Sequence, residues 1–390
     1  MKALVLGCGE MAQPAISDLV KHGVFNQITI ASRHPARTEG FLATLPPHHI
    51  KLQAVQVNVL DHEALVRLMR GRDVVCNLAG PNYRNAVAIA RAAIAAGVSL
   101  VDVSDDWAAT LQLLALHADA ERAGITILIG LGASPGVTNI LARYGADRLD
   151  RVEEVRTSWV MRASDAGGPA LAAHLLYSLP ERAFVFQHGE IREVRPFEDG
   201  KEVIDYPGLG PVEVMHIGHP EPLTLARFIE GVRYADDKAT FLPVEVNRMI
   251  VELGRVARSP DPVTVDGRPV DPMEFAAMYF YQTCKAMSDV PKTGALRTEI
   301  RGELAERPVR LVYSAAGRIG IGTGIPCAIG AQLIAAGSIN RKGVFPPEAR
   351  GVLSPELFLR AIEMRNIGEI HEELLDWDRE DSRMLALEPS

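Results

Sequence analysis

The sequence predicts an α/β fold in which a doubly wound parallel sheet comes first and an α+β region with a mainly antiparallel sheet follows. Three observations support this prediction. Short apolar runs alternate with helical patterns up to residue 129, a glycine-rich turn follows the first run, and beyond residue 150 strand-like runs are separated by Pro and Gly. Strands that alternate with helices are typical of a parallel sheet covered on both faces.

The elements of the parallel sheet follow in order from the residue pattern. β-branched and apolar residues predict strands at residues 3–6, 27–31, 52–59, 73–78, 98–103 and 125–129. Helical patterns lie between them, at residues 10–21, 35–45, 61–70, 83–96 and 107–122. Asp61 is expected to cap one of these helices and Gly97 to end another. The loops at the carboxyl ends of the strands are expected to meet at one edge, where such sheets bind ligands.

The turn after the first strand has the spacing of a dinucleotide-binding motif. Gly7, Gly9 and Ala12 form the pattern G-x-G-x-x-A. The first glycine permits a tight turn, the second leaves room for a pyrophosphate, and the alanine lets the helix pack close to the strand. The helix that starts near Glu10 and Met11 directs its N–H groups at the phosphates. We therefore favour a Rossmann-type nucleotide site over a tight turn without a ligand.

The end of the second strand indicates which nicotinamide cofactor binds. An Asp or Glu about 20 residues after the turn normally binds the ribose 2′-hydroxyl of NAD. This sequence has Ser32 and Arg33 at that position instead. Because a guanidinium makes charge-assisted contacts to a 2′-phosphate, the pair favours NADP over NAD. The alternative is that Arg33 is an ordinary solvated surface residue.

The loops after the later strands supply further candidates. The additional residues expected at the cofactor are Asn77, Ala79, Gly80 and Ser104. Asp106 is the preferred catalytic carboxylate, since a carboxylate near the nicotinamide can hold a cationic amine or relay a proton. Asp105 is expected to cap the following helix, with a contact to substrate as its alternative. Tyr83 is a second catalytic candidate that could hydrogen-bond substrate or be buried in packing.

Substrate contacts are expected from a second glycine-rich loop and from cationic side chains. The loop at residues 130–136 leads into a predicted helix at 137–148, which suits an anion such as a carboxylate and makes Gly136 and Asn139 candidates. A simple linking turn is the alternative. Arg233 is preferred among the cationic candidates for binding a carboxylate, which also include Arg227, Lys238 and Lys285. His174 and His216 could titrate near neutrality, but a lone histidine is usually structural. No metal-binding motif is found, so we expect no metal site.

The rest of the chain reads as an inserted domain followed by a return to the first. Strand-like runs are at residues 152–161, 183–190, 203–206, 212–216, 223–233, 263–265, 296–302 and 310–313. Helices are predicted at residues 170–176, 242–252, 273–283, 327–336 and 355–365. We place the nucleotide-binding domain at 1–135, the α+β domain at 136–320 and the C-terminal helices at 321–368. A charged tail, 369–390, is expected to be loosely attached.

Bulk composition excludes several classes of protein. The chain has 390 residues, of which 47% are hydrophobic and 23% charged, so it is long enough for two or three folded domains. A net charge of −8 argues against a nucleic-acid partner. No uncharged apolar run is long enough to span a bilayer, and the four cysteines contain no C-x-x-C pair. Without a signal peptide at the N-terminus, we expect a reduced, cytoplasmic protein.

Four stretches together resemble the saccharopine dehydrogenase family, which includes the lysine 6-dehydrogenases. They are residues 7–12, 75–83, 97–104 and 131–145, and residues 323–326 are also similar. The resemblance implies a nucleotide-binding domain that the C-terminal helices complete, and an inserted domain that binds substrate and forms a homodimer. Ser32 and Arg33 depart from the NAD-using lysine 6-dehydrogenases, and the middle of the chain is only weakly similar.

The same resemblance implies oxidation of an amine, or reduction of an imine, next to the carboxylate of an amino acid. We therefore expect an NADP-dependent oxidoreductase that acts on the C–N bond of a small amino-acid substrate by hydride transfer. Two alternatives stay open at this point. One is an NADP-dependent reductase of a carbonyl or hydroxyl substrate, and the other is a sensor that binds a dinucleotide without turnover.

Overall fold

Two large sheets organise the chain, of which the computed structural model describes residues 1–165, 167–287 and 293–378. The N-terminal part alternates strands and helices. Its strands are β1 (Lys2–Leu6), β2 (Gln27–Ser32), β3 (Lys51–Gln56), β4 (Val74–Asn77), β5 (Ser99–Asp102) and β6 (Thr126–Leu128). Its helices are α1 (Ala12–His22), α2 (Pro35–Leu42), α3 (His62–Met69), α4 (Asn82–Ala96), α5 (Trp107–Ala115) and α6 (His117–Arg122).

The middle of the chain is richer in strands. Its helices are α7 (Val137–Ala146), α8 (Pro169–Ser178), α9 (Glu221–Phe228), α10 (Glu245–Ala257) and α11 (Pro272–Ala286). Its strands are β7 (Arg151–Arg162), β8 (Ala183–Gln187), β9 (Glu190–Val194), β10 (Glu202–Tyr206), β11 (Gly210–His216), β12 (Tyr234–Leu242), β13 (Val263–Val265), β14 (Arg268–Val270), β15 (Gly294–Leu304) and β16 (Arg307–Gly317). The C-terminal elements are α12 (Ile319–Ala335), β17 (Gly343–Phe345), α13 (Pro355–Glu363) and β18 (Ile370–Asp376).

The first sheet is parallel throughout and has the order β17-β6-β5-β4-β1-β2-β3. The order reverses at β1, so helices cover both faces and the central strands are apolar on both sides. Residues 3–6 of β1 are fully buried. The predicted doubly wound fold is confirmed. The helix predicted at 107–122 is interrupted at Leu116, and β3 ends at Gln56 instead of residue 59.

The second sheet has nine strands among the described residues. Strands β7 and β12 are parallel, whereas the other pairings are antiparallel, so the sheet is mainly antiparallel as predicted. The strand predicted at 223–233 is wrong, because this segment begins with helix α9. Glu221, Leu225 and Ile229 are buried at a helical spacing of four. The central strand β12 was missed, since its middle reads Asp236-Asp237-Lys238.

The C-terminal segment returns to the first sheet. Helix α12 packs against α1, where Gly324 leaves room for the backbone of Met11 and Ala15, and β17 pairs with β6. This agrees with a nucleotide-binding domain that C-terminal helices complete. The loosely attached tail is wrong for residues 370–376, which form β18 against β16. Residues 379–390 of that tail lie outside the described residues. Every helix in the described part of the chain is too short or too polar to cross a membrane.

Candidate functional site

A cavity of about 910 Å³ lies between the carboxyl edge of the first sheet and the second sheet. One side is formed by the loops after β1, β2, β3, β4 and β5. The other side is formed by the end of β7, by α8, and by the adjoining ends of β15 and β16. The carboxyl edge of a doubly wound sheet is its usual ligand site, so this cavity is the candidate functional site.

The turn after β1 has the shape that a diphosphate requires. Gly7 has a φ of +99°, and a Cβ there would lie 2.7 Å from the carbonyl oxygen of Leu78. A Cβ on Gly9 would meet no atom within 4 Å, so this glycine leaves open space. Glu10 and Met11 also line the cavity, whereas Ala12 is fully buried and serves helix packing. The residues at this turn therefore fit a dinucleotide.

The end of β2 offers two guanidinium groups to the cavity. Ser32 and Arg33 line it as predicted, and so does Arg37 in the first turn of α2. Among the described residues, no carboxylate lies within ion-pair distance of either arginine, and both arginines are exposed. Ser32 Oγ lies 2.9 Å from Oγ1 of Thr38, which fixes the hydroxyl next to them. Arg37 was missed, although its position four residues after Arg33 is a usable signal.

Two of the other four predicted cofactor residues lie behind the cavity wall. Ala79 and Gly80 line the cavity, whereas Asn77 and Ser104 are buried and do not. The amide of Asn77 donates to Asp102 at 2.5 Å and accepts from the N–H of Ala79 at 3.1 Å. Burial raises the pKa of Asp102 to about 6, despite hydrogen bonds from Asn77 and from the Ser104 N–H. Asn77 and Ser104 thus shape the loops and do not line the cavity.

The roles predicted for the two acids after β5 are reversed. Asp106 is the N-cap of α5, where its Oδ1 accepts from the N–H of Ala109 at 2.7 Å. Its Oδ2 accepts from the hydroxyl of Ser178 at 2.6 Å, and the residue is only 1% exposed. Asp105 does not cap the helix, and it lines the cavity. The physical reason is that α5 begins at Trp107, so the residue just before it takes the cap.

Two further candidates lie away from the cavity. Tyr83 stacks on Tyr177 with ring centroids 3.9 Å apart, so it packs against the second domain instead of facing substrate. Arg233 is exposed, precedes β12 and has its backbone paired with Glu153 and His188. Both predictions are wrong in their placement. The cationic side chains that do line the substrate side were missed, and they are Arg162 and Arg318.

The predicted anion site at the start of α7 is wrong because its N–H groups already have acceptors. Asn139 Oδ1 accepts from the N–H of Gly136 at 3.2 Å. The next two N–H groups of the helix donate to the carbonyl oxygens of residues 132 and 133. Gly136 has a φ of +130°, and a Cβ there would collide with the backbone of Gly132. Gly136 and Asn139 therefore stabilise the loop, and Ser134 is the polar residue of this loop that reaches the cavity.

Asp105 is the centre of a polar cluster on the substrate side. The Asn82 amide donates to its Oδ1 at 2.8 Å, and His174 Nε2 lies 2.9 Å from the same oxygen. His219 Nε2 lies 3.9 Å from Oδ2. Both imidazoles line the cavity and each is 2% exposed. These side chains come from α4, the loop after β5, α8 and the segment before α9, so only the tertiary fold brings them together.

Behind His219 lie two buried acids. Its Nδ1 is 2.7 Å from Oε2 of Glu221 and 3.4 Å from Oδ2 of Asp237. The Ser134 hydroxyl donates to Oε1 of Glu221 at 2.5 Å, and Trp159 Nε1 donates to Asp237 at 3.2 Å. The nearest ligand atoms of His219, Glu221 and Asp237 lie within 4.8 Å of one another, which is close enough to hold a metal ion. In the structure Nδ1 of His219 and Oε2 of Glu221 are already joined by a hydrogen bond.

The acids and imidazoles of the cluster shift the pKa values of one another. Burial alone would raise the pKa of Asp105, but His174 and His219 outweigh it and lower that pKa to about 2. Burial opposes protonation of His219, yet Glu221, Asp237 and Asp105 raise its pKa to about 9. The pKa of His174 is raised, since Asp105 outweighs the effect of burial. Burial and the charge of Glu221 raise the pKa of Asp237 well above its usual value. At neutral pH the cavity therefore presents the Asp105 carboxylate beside the imidazolium of His219, and the raised pKa of His174 favours its protonated form.

A doubly wound sheet with this turn and this cavity defines a dinucleotide-binding protein. Residues 3–128 match the family model for the saccharopine dehydrogenase NADP binding domain. The match confirms the resemblance to the saccharopine dehydrogenase family over the nucleotide-binding domain, and the class of protein that it indicates is an NAD(P)-binding oxidoreductase.

Relatives match along nearly the whole chain. Carboxynorspermidine synthase of Vibrio cholerae is 29% identical over 434 aligned positions, which cover 100% of this chain and 98% of that protein. Carboxyaminopropylagmatine dehydrogenase of a Synechocystis species is 21% identical, with 92% of this chain and 94% of that protein covered. Saccharopine dehydrogenase (L-Glu forming) from Saccharomyces cerevisiae has the same fold, with a TM-score of 0.66, 16% identity, and coverage of 96% and 99%.

Proposed function

We propose that the protein is an NADP(H)-dependent oxidoreductase that reduces the imine between a polyamine-type amine and the aldehyde of an amino acid. The product is a carboxylated polyamine. The observation that carries the proposal is the single cavity, which joins the diphosphate turn to a substrate end that holds both a carboxylate and guanidinium groups. The names of two relatives, carboxynorspermidine synthase and carboxyaminopropylagmatine dehydrogenase, both describe polyamines that carry a carboxyl group.

The nucleotide end supports NADP(H) as the cofactor. Gly7, Gly9, Glu10 and Met11 would hold the diphosphate, and the guanidinium of Arg33 would meet a 2′-phosphate beside Ser32. Arg37 adds a second positive charge to the same end. When bound, the reduced nicotinamide supplies a hydride, which is chemistry that no side chain can provide.

The substrate end supports a ligand that carries charges of both signs. Asp105 faces the cavity as a carboxylate, which suits an ammonium or iminium nitrogen. Arg162 and Arg318 face the same cavity and suit a carboxylate. Arg318 is held 3.3 Å from Oδ1 of Asp165, while Arg162 donates to the carbonyl oxygen of Thr293 at 3.2 Å. A carboxylated polyamine carries the complementary charges.

Asp105 also gives the site a chemical preference for an imine. A fixed carboxylate beside the C=N bond stabilises the protonated nitrogen, and protonation makes the imine carbon a better hydride acceptor. A neutral carbonyl gains less from the same carboxylate, since its oxygen becomes negative during reduction. This difference favours C–N chemistry over the alternative of a carbonyl reductase.

The test is optical, and disconnecting the C–N bond of the product identifies the reactants. Aspartate semialdehyde is mixed with 1,3-diaminopropane, putrescine or agmatine, and the absorbance of NADPH or NADH is followed. We expect NADPH to be consumed only when amine and aldehyde are both present, with a product whose mass contains both. Consumption with the aldehyde alone would identify a carbonyl reductase instead. Binding of NADPH without turnover of any mixture would identify a sensor.

The cofactor preference has its own matched pair of variants. Arg33→Asp should weaken NADPH binding by about 10- to 100-fold, because a charge-assisted hydrogen bond is lost and a repulsive charge is added. NADH binding should change much less. Arg227→Asp is the control, since Arg227 is exposed and does not line the cavity. Dissociation constants from fluorescence titration decide the point, and equal losses for both nucleotides would contradict the assignment.

A further inference from the structure

We propose that His219 is the proton carrier of this site, and that Glu221 and Asp237 are positioning residues that fix its ring. The proposal rests on the proposed function, since it assigns the acid that an imine reduction needs. Neither predicted catalytic residue fits this role, because Asp106 and Tyr83 do not line the cavity.

The first argument is the position of the ring. Nε2 of His219 points to the side of Asp105, and the residue lines the cavity, whereas Nδ1 points to Glu221 and Asp237. The 3.9 Å between Nε2 and Oδ2 of Asp105 is longer than a hydrogen bond. A substrate nitrogen that enters the cavity can therefore lie against both groups, with the carboxylate stabilising its positive charge and the imidazolium donating to it.

The second argument is the support behind the ring. Ser134 donates to Oε1 of Glu221, which leaves Oε2 for Nδ1 of His219. Asp237 is held by Thr157 at 2.7 Å and by Trp159 at 3.2 Å. A carboxylate on one imidazole nitrogen keeps the proton there and leaves the other nitrogen to exchange its proton with substrate. The buried acids therefore fix both the orientation and the tautomer of His219.

The third argument is the contrast with His174, the other imidazole beside Asp105. Among the described residues, the hydrogen-bonding neighbour of His174 Nδ1 is the Ser178 hydroxyl, at 3.4 Å. Its Nε2 is 2.9 Å from Asp105, so this nitrogen already has a charged neighbour at contact distance. His174 therefore holds Asp105 in place, while His219 lines the cavity with no hydrogen bond to Asp105 and has a carboxylate behind it. The titratable groups that face His219 are Asp105, His174, Glu221 and Asp237.

The proposed imine reduction consists of a proton transfer from His219 and a hydride transfer to the imine carbon. A proton leaves Nε2 and forms an N–H bond with the lone pair of the imine nitrogen. A bound reduced nicotinamide would supply the hydride, and with it the two electrons that the imine gains. As the C–H bond forms at the imine carbon, the π pair of the C=N bond becomes the new lone pair of nitrogen. His219 is left neutral, with its remaining proton on Nδ1 facing Glu221, and takes its next proton from solvent.

The test compares two histidines three positions apart. His219→Gln keeps a hydrogen-bond donor but cannot titrate, and we expect kcat/KM for the imine to fall by about 10²- to 10⁴-fold. His216→Gln is the control, because His216 is also buried beside an aspartate but does not line the cavity. NADPH titration of both variants checks that the fold and the nucleotide site are intact. Retention of most activity by His219→Gln, with normal NADPH binding, would overturn the proposal.

The pH profile separates a proton carrier from a merely structural side chain. Because the acid form is needed, kcat/KM of the unmodified enzyme should fall above the pKa of His219, near pH 9. Glu221→Gln removes a carboxylate that raises this pKa, so its alkaline limb should move to lower pH. His219→Gln should lose the limb altogether. A limb that stays in place in Glu221→Gln would count against the assignment.

Two further measurements test the role of His219, and the first does not depend on turnover. Nitrogen-15 NMR of labelled histidines should show His219 as an imidazolium at pH 7, with a lower pKa in Glu221→Gln, and a neutral ring at pH 7 would overturn the proposal. Metal analysis is the second. Stoichiometric zinc or iron whose removal abolishes activity, with recovery on adding the metal back, would mean that His219, Glu221 and Asp237 are ligands. If no amine and aldehyde pair is turned over by the unmodified protein, the proposed function fails, whatever the NMR result.

Discussion

Asp236 and Asp237 are neighbours on β12, but they lie on opposite faces of the second sheet and have opposite electrostatic environments. Both are 1% exposed. Asp236 lies 3.5 Å from Lys238 Nζ and 3.3 Å from His216 Nε2. Burial alone would raise its pKa, but Lys238, His216 and Arg156 hold it below the usual range. Asp237 instead faces another acid and the cavity side, and its pKa is raised.

The difference shows that adjacent residues on a strand can have different roles, one in stability and one in the functional site. Successive side chains on a strand point to opposite faces, so two identical residues enter different surroundings. On one face, cations balance the buried charge and the result is an ion cluster that holds strands together. On the other face, two acids share one imidazole beside an open cavity. Buried acids that are not balanced by cations are typical of functional sites.

The acids after β5 show the same contrast. Asp106 has both oxygens engaged by Ala109 and Ser178, so it has no capacity left for a ligand. Asp105 is the partly exposed neighbour between His174 and His219. Asp106 and Asp236 are engaged by structural partners away from the cavity, whereas Asp105 lines the cavity and Asp237 lies behind His219, which also lines it. Substituting each aspartate of a pair with asparagine tests whether the two residues differ in their effects on stability and activity.

The largest expected effect is on stability, in Asp236→Asn. Removing this charge leaves the buried Lys238 and Arg156 with less compensation, which should lower the free energy of unfolding by about 3–5 kcal/mol. Urea denaturation at pH 7 measures this loss of stability. Asp205→Asn is the control, because Asp205 is an exposed residue of β10. An acid whose folded pKa is depressed stabilises above its unfolded pKa and loses this contribution as pH falls. The unmodified protein should therefore lose stability below about pH 4, and the variant should lose less.

The next effect is on activity, in Asp105→Asn. The amide cannot stabilise a cationic nitrogen, so kcat/KM for the imine should fall by about 10²- to 10³-fold. Asp106→Asn is the matched control, because asparagine is as good an N-cap as aspartate. Its activity should stay within a few-fold of the unmodified enzyme. Equal losses in the two variants would mean that the contrast between the neighbours is only structural.

Most residues that the sequence assigns to the nucleotide end do line the cavity, for a local reason. Gly7, Gly9 and Ala12 act within a single turn, so their spacing contains the geometry. Ser32 and Arg33 follow a strand of clear β-branched pattern, and both line the cavity. Residues that were assigned the wrong role depend on structural information that the sequence pattern does not contain. Choosing between Asp105 and Asp106 requires the residue at which α5 begins, and helix boundaries are the least certain part of a pattern.

The substrate end could not be predicted, because nothing local marks it. Its members come from separate elements that only the second sheet brings together. The strand that positions Asp237 has three charged residues in succession, so its pattern favours a loop over a central strand. His174 and His219 carry no motif, and a lone histidine is structural more often than not. Their function becomes visible only through the shared neighbour Asp105.

The smallest effect, and the sharpest test of the comparison, is expected for Asp237→Asn. Because burial and the charge of Glu221 raise the pKa of this carboxyl, its protonated form is favoured, and the amide resembles that form in shape and charge. We expect the free energy of unfolding at pH 7 to change by about 1 kcal/mol or less, mostly through a weakened hydrogen bond from Trp159 or Thr157. Asp236→Asn, measured in parallel, should cost several times more.

The pH dependence of this variant has the opposite sign to that of Asp236→Asn. An acid whose folded pKa is raised keeps its proton in the folded state while the unfolded chain releases it, so stability falls as pH rises above about 4. Asp237→Asn abolishes this loss, and its stability relative to the unmodified protein should improve from pH 5 to pH 8. Denaturation curves across that range measure the slope. A relative stability that worsens with pH would mean that Asp237 is charged in the fold, and that the two faces of β12 do not differ as described.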